Sequence, residues 1–381
     1  MGRTKHIEKL PAGVLSEDLQ RNDRHKGAQG KLHSGPQTSG THMTVGKLST
    51  TSTSGKEAGN LSAWLLRGTA RKPAVPGKNN PRARNTFSAT DLDSPVQTIL
   101  ANPSNYCYLN SLVQALLWIY QARPSARNSE FGDLHALLRP LNNAGTTVQL
   151  HRRKAWLRIL ETWPNPQQQH DVAELLVHLQ RHTRFPALVG TWEARTLQGP
   201  HFQTHQSTTQ VPHIMLPCQP NKTLQELVEQ WAYDQDTGQI CAVSEAPTFL
   251  CVQLLRFQGN MAGEINKLSH AITLSPKLQV PTFAEGIDTR PQAYVLHSIV
   301  YHVGCTPDSG HYRTMGITAP KGEPSSLQEA FYSEITRNLS EGAAHPALHV
   351  QNDETPTALA TSADLQEVSR TWYLAFFSKP Q

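Results

Sequence analysis

Two residues in this chain have the types needed for acyl transfer, and they lie far apart. Cys107 follows a run of turn formers, Asn102, Pro103, Ser104 and Asn105. It opens a stretch in which Leu109, Leu112, Val113, Leu116, Leu117 and Tyr120 recur at three- and four-residue steps. That period is one face of a helix, with the cysteine at or near its first turn. Unpaired N–H groups and the positive end of the helix dipole stabilise a thiolate there, so a lowered thiol pKa is expected. The same pattern also suits a small apolar cysteine at the edge of a core helix. His311, in Asp308-Ser309-Gly310-His311-Tyr312, follows a glycine in a strand-rich region. Its ordinary pKa fits a general base near neutrality, and Gly310 lets the backbone approach closely enough to set the imidazole. A thiol and an imidazole brought together by folding are what a thiol hydrolase needs.

The remaining chemistry-bearing residues give weaker patterns. Cys107, Cys218, Cys241, Cys251 and Cys305 are odd in number and include no Cys-x-x-Cys pair, which fits free thiols in a reducing compartment. His178 and His182 share a helical face, but without His-Glu-x-x-His they read as solvent-facing. Net charge is +5, too mild to imply a nucleic-acid partner. Met1 to His6 carries no apolar leader and no myristoylation signal, and no stretch nears the roughly 18 apolar residues of a membrane span. A soluble monomer of the cytoplasm and/or nucleus is expected.

A hydrophobic share of 38% over 381 residues is low for a uniformly globular chain. Residues 1–93 are basic and rich in Ser, Thr and Gly, and are expected to be disordered. Within them, Leu61–Leu66 could form a docking turn and the basic run Arg71–Arg84 a linker or an anionic-partner patch. A globular domain is expected over residues 94–381. Helices are expected at Phe131–Leu138 and Arg152–Leu160, and a third capped by Asn165-Pro166 with Val172, Leu175, Leu176 and Leu179 inward. Strands are expected at Ser207–Leu216, Thr248–Phe257, Ala271–Leu274, Tyr294–Val303, His311–Ile317 and Trp372–Ser378, with a long loop from Gly316 to His349. Helices first and strands afterwards give an α+β domain with the active site between the halves.

Three segments carry a family resemblance, in the family's order. Asn102 to Leu116 resembles the cysteine box of the ubiquitin-specific proteases, and Ser309-Gly310-His311-Tyr312 resembles their histidine box. Gln169-His170-Asp171-Val172-Ala173-Glu174-Leu175-Leu176 is similar to the family's Gln-Gln-Asp-x-x-Glu-Phe-Leu segment. The resemblance implies a papain-like fold with a helical thumb, a β-sheet palm and reduced β fingers. It implies a thiol-dependent deubiquitinase acting on ubiquitin and ubiquitinated proteins, with no cofactor. By the same resemblance Cys107 is the nucleophile, His311 the base, and Asn352 or Asp353 the residue that orients the imidazole. Asn102 falls where the family has its oxyanion-hole amide. Asp171, Glu174, His302 and Gly310 fall at substrate contacts, the two acids also suiting a helix N-terminus.

The departures matter as well. Ser104 and Tyr106 stand where the family has Gly and Thr, so a positive φ at Ser104 would strain the turn. His170 and Leu175 replace Gln and Phe. Many relatives bind zinc in the fingers through two Cys-x-x-Cys pairs; Gly199-Pro200-His201-Phe202 and Cys241-Ala242-Val243-Ser244 stand there, so no metal site is expected. His201, His205 and Cys218 are a remote substitute ligand set. A catalytically weak ubiquitin-binding scaffold, or a protease for a ubiquitin-like modifier, remains the alternative.

Overall fold

The structure, a computed structural model, describes residues 87–380 apart from 143–144, 200, 212, 260–264, 307–308 and 322–324. Leu61–Leu66 and Arg71–Arg84 therefore lie outside the described residues. The fold reaches back into the segment expected to precede the domain. Leu92 is buried and bridges Pro320, the Asp93 N–H donates to Ala319 O at 2.9 Å, and Phe87 packs edge-on against Phe331.

The helices are α1 (Cys107–Ala122), α2 (Arg127–Glu130), α3 (Asp133–Leu138), α4 (Lys154–Leu160), α5 (Val172–His182), α6 (Leu224–Ala232), α7 (Ser325–Glu341) and α8 (Ser362–Thr371). The strands are β1 (Gly190–Gln198), β2 (His201–Val211), β3 (Ile214–Pro217), β4 (Tyr233–Asp234), β5 (Gln239–Glu245), β6 (Phe249–Leu255), β7 (Phe257–Gly259), β8 (Ile265–Lys267), β9 (Lys277–Phe283), β10 (Thr289–Thr306), β11 (Ser309–Ile317), β12 (Leu348–Gln351), β13 (Ala358–Leu359) and β14 (Trp372–Ser378). All but β7 and β8 join one sheet, with β10 as its hub: β9, β11 and β14 all pair with it antiparallel. The β7–β8 ribbon stands apart.

Helix α1 is buried on every side from Cys107 to Tyr120, as a helix caught between other helices and a sheet must be. Its outer partners include α5, whose Val172, Leu175, Leu176 and Leu179 are all buried. Toward the sheet, polar side chains reach up to the helix carbonyls. Ser298 Oγ donates to Ala115 O and Thr314 Oγ1 to Ser111 O, both at 2.8 Å, and Trp118 Nε1 donates to Gln351 Oε1 at 2.8 Å. Gly316 makes this contact sterically possible, because a Cβ there would lie 1.9 Å from Trp118 Cε2.

Several sequence expectations change. Ala271–Leu274 is no strand; Thr273 makes only an isolated bridge to Thr223. The long loop expected from Gly316 to His349 contains α7, which buries Phe331, Tyr332, Ile335 and Leu339. Asn165 does not cap a helix. It turns the chain at φ +45, and α5 begins seven residues later with Asp171 as its cap. His178 is half-buried: its Nε2 lies 2.9 Å from Ile159 O and its ring 4.8 Å from that of Trp163.

The β1–β2 hairpin and β5 form the fingers, and β5 meets the palm through the pair Val243↔Thr282. A guanidinium occupies the region of the missing zinc pairs. Arg195 lies 4.8 Å over Phe202 and 3.8 Å over Phe283, pairs with Glu193 at 2.6 Å and donates to Gly286 O. Among the described residues no group of three or more His, Cys, Asp or Glu could hold a metal. The residues present do not fit zinc.

The helix–sheet contact can be tested by adding one methyl group. Gly316→Ala should lower stability by about 1–3 kcal/mol, the usual cost of overpacking. Gly145→Ala, where an added Cβ meets nothing within 4 Å, should stay within about 0.5 kcal/mol. Urea unfolding of both variants checks this; equal midpoints would refute the contact.

Candidate active site

The thumb supplies Cys107 as the first residue of α1, only 3% exposed. The turn before it is closed by a side chain, since Asn102 Oδ1 accepts from the Tyr106 N–H at 2.8 Å. Ser104 does not have a positive φ. Tyr106, in place of a small residue, lies flat against the His151 ring, with centroids 5.1 Å apart and planes at 8°.

The palm supplies His311 on β11. Its Nε2 lies 2.6 Å from Asn352 Oδ1 and 3.4 Å from Asp353 Oδ2. Asn352 Oδ1 can only accept, so Nε2 carries the proton and Nδ1 keeps its lone pair. The two halves come together near Tyr312, whose backbone N–H is among the groups that favour the Cys107 thiolate.

Asp353 ties these groups together. It is 8% exposed and adopts φ +42, a left-handed conformation that Asp tolerates better than most residues. Its Oδ1 accepts from Asn110 Nδ2 at 2.9 Å and its Oδ2 from Asn102 Nδ2 at 2.8 Å. Asn110 was not singled out from sequence. It lies three residues after Cys107, on the same side of the helix, and that spacing is the signal that could have found it.

The thiol itself departs from expectation. Burial pushes the Cys107 thiol up, and the Asp353 charge pushes it further, against the Tyr312 and Tyr108 N–H groups that favour thiolate. The helix start therefore does not dominate, and the sulfur rests as a thiol. A neutral thiol needs a base to take its proton as it attacks.

Two expected substrate contacts are committed elsewhere. Asp171 Oδ1 accepts from the Ala173 and Glu174 N–H groups at 2.6 and 3.3 Å, and its Oδ2 accepts from the Tyr373 hydroxyl at 2.5 Å. It is a helix cap and a strut to β14, and burial raises its carboxyl pKa. His302 is 0% exposed, its ring nitrogens facing Gln169 and Lys267, and burial lowers it to about 4. Glu174 remains exposed. Gly310 is also exposed, with φ +131 and a Cβ position 2.3 Å from Val303 O, so no side chain fits there.

With the site assembled, similarity to known proteins becomes informative. The family profile of ubiquitin carboxyl-terminal hydrolases matches residues 98–338, more than half of the chain. This chain belongs to the ubiquitin carboxyl-terminal hydrolase family. It is of the ubiquitin-specific protease type, and its α+β architecture of thumb, palm and fingers is that family's fold. Ubiquitin carboxyl-terminal hydrolase 36 of Drosophila mojavensis is 38% identical over 80 residues, which are 20% of this chain and 6% of that protein. The Drosophila simulans protein of the same name is 32% identical over 98 residues, 25% of this chain and 9% of that one. The matched stretch thus spans under a tenth of these relatives. Among solved structures, the SAGA Ubp8/Sgf11/Sus1/Sgf73 DUB module bound to ubiquitin aldehyde aligns at TM-score 0.48 and 16% identity, covering 76% of this chain and 71% of that one. A yeast SAGA DUB module aligns at TM-score 0.46 and 15% identity, covering 76% and 70%.

The opposed influences on the thiol give a signed expectation. Asp353→Asn keeps an acceptor for Asn110 and removes a negative charge, so it should move the Cys107 pKa down. The rate of Cys107 alkylation by iodoacetamide, followed on its own peptide by mass spectrometry from pH 6 to 10, should then rise at lower pH than in the parent chain. An unmoved or alkaline-shifted profile would contradict the electrostatic account.

Proposed function

We propose that this protein is a thiol-dependent ubiquitinyl hydrolase that cleaves the peptide or isopeptide bond after the C-terminal glycine of ubiquitin. The observation that carries this reading is the 2.6 Å contact of His311 Nε2 with Asn352 Oδ1, on the residue next to Tyr312, whose N–H favours the Cys107 thiolate. His311 Nδ1 takes the thiol proton as sulfur bonds to the carbonyl carbon. The imidazolium then gives that proton to the leaving amine as the C–N bond breaks, leaving a thioester. Water, losing a proton to His311, attacks the thioester, and the C–S bond breaks to return the thiol and release the ubiquitin carboxylate.

Asn102 is the proposed oxyanion donor. Its amide has two N–H groups; the one held by Asp353 orients the other, and a single such donor is worth about 2.7–4 kcal/mol in the transition state. Asn352 orients His311, with Asp353 behind it. Glu174 is the acid proposed to meet the basic tail of ubiquitin. The proposed hydrolase is a monomer working on ubiquitinated proteins in the cytoplasm and/or nucleus.

The alternative is a ubiquitin-binding scaffold with little turnover. Its support is the near-complete burial of Cys107 and the raised thiol.

An electrophilic ubiquitin C-terminal probe separates the readings. The hydrolase should gain one ubiquitin on the Cys107 peptide and lose it in Cys107→Ala. His311→Ala should slow labelling at least about 100-fold, and Asn352→Ala on the order of 10-fold, because Asp353 stands near the same nitrogen. Folded protein that binds ubiquitin without labelling is the scaffold. Labelling only by a probe built on a ubiquitin-like modifier reassigns the substrate.

A further inference from the structure

A cation–imidazole–amide chain built on a fully buried ring lies beside the site and has no part in the mechanism above. Lys267 ends β8, in the ribbon outside the main sheet. Its ammonium donates to the backbone oxygens of His302 and of Gly304, the latter at 2.9 Å, and lies 3.3 Å from His302 Nδ1. The other ring nitrogen, Nε2, lies 3.3 Å from the side-chain amide of Gln169, in the thumb segment ahead of α5. The His302 ring is walled by Tyr312 at 4.6 Å and Phe257 at 5.5 Å.

Donor and acceptor logic fixes the protonation along this chain. An ammonium has no lone pair, so His302 Nδ1 must be the accepting nitrogen and the ring proton sits on Nε2. As placed, Gln169 Nε2 is the atom that faces His302 Nε2; with the ring proton on Nε2 the amide must turn over to present its oxygen. Burial lowers His302 to about 4, which keeps the ring neutral near pH 7; it also lowers Lys267, to about 8, which still leaves the amine mostly charged there.

The β10–β11 hairpin needs such an external hold. Its strands cross backbone to backbone at Gly304 and Gly310, where a Cβ on Gly304 would sit 2.7 Å from the Gly310 Cα. Both glycines are at positive φ, +137 and +131, and neither offers a side chain to pack. His311 follows directly and pairs with Val303. Lys267 grips the residues on either side of Val303.

We propose that Lys267, acting with His302, is a positioning residue that fixes this hairpin, and through it His311, against the thumb. The inference rests on the hydrolase reading for its catalytic consequence, though not for its structural one.

The full chain is assayed with ubiquitin carrying a C-terminal fluorogenic amine. Lys267→Met should lower kcat on the order of 10- to 100-fold, the effect of displacing a reacting group by about 1 Å, with KM changed less than about twofold. Lys267→Arg, which restores a cation, should recover most of kcat. Lys277→Met, removing a surface lysine paired with Glu329, should match the parent. The His311 ring nitrogen resonances should move in Lys267→Met and stay in Lys277→Met. If Lys267→Met melts below the assay temperature, Gln169→Leu cuts the same chain from the thumb side and carries both readouts. Parent-like kcat with unmoved His311 resonances overturns the proposal, as does an equal loss in Lys277→Met. An inactive parent whose His311 resonances still respond to Lys267→Met sinks the hydrolase reading and upholds the positioning role.

Discussion

One buried carboxylate joins the two halves of the cleft. Asp353 takes an amide proton from Asn110 on the helix that carries the thiol, and another from Asn102 on the turn before it. Its Oδ2 lies 3.4 Å from His311 on the facing strand. Burying a carboxylate costs several kcal/mol, and burial does raise its pKa. A non-Gly left-handed conformation adds about 1–3 kcal/mol. Hydrogen bonds to a charged group return about 1.5–3 kcal/mol each, so two good ones with a nearby imidazole can hold what either alone would not. The strain anticipated in the turn before Cys107 is found instead at the residue on which that turn depends.

The same carboxylate sets the electrostatic character of the site. It lies close enough to the sulfur to oppose thiolate formation, and burial acts in the same direction. A cysteine that opens a helix need not be an ion pair at rest, because the dipole contributes a few tenths to one kcal/mol at an exposed end while desolvation of a buried thiolate costs more. In the proposed mechanism a neutral resting thiol makes His311 the group whose exact position matters, since it would remove the proton as the bond forms. That requirement gives physical sense to the bracing around its hairpin.

How much of this was legible in the sequence depended on whether the signal was local. The buried face of α1, the stripe Val172–Leu179 and the strand Trp372–Ser378 could be read from period and composition, and the structure has all three. The late helices were missed although their signals were present. Thr223 with Glu226 and Thr361 with Asp364 are capping boxes, and Phe331, Tyr332, Ile335 and Leu339 have helical spacing. Reading the second half of the chain as strands alone hid them. Roles that depend on which partner a side chain finds were not legible at all. Asp171 could be read equally as a cap or a ligand contact, and only the Tyr373 hydroxyl, 202 residues away, commits its second oxygen. His302 reads as a strand-end histidine until its burial is known.

Two of the departures from the family pattern are met by contacts made elsewhere in the fold. Where a small residue would leave room beside the nucleophile, Tyr106 fills it and is held flat by His151, while the Asn102 side chain supplies the turn's closure. Where metal ligands would staple the fingers, Phe202 and Phe283 sandwich the Arg195 guanidinium, which also pairs with Glu193. Metal coordination imposes fixed bond directions, whereas stacked rings around a guanidinium allow sliding within a shallow well. The fingers of this protein are fastened by ring contacts and an ion pair, while the palm and thumb are linked through Asp353. The Arg195 staple and the Asp353 network make no hydrogen bond to each other among the described residues, so the distal hairpin and the Cys107 turn are held independently.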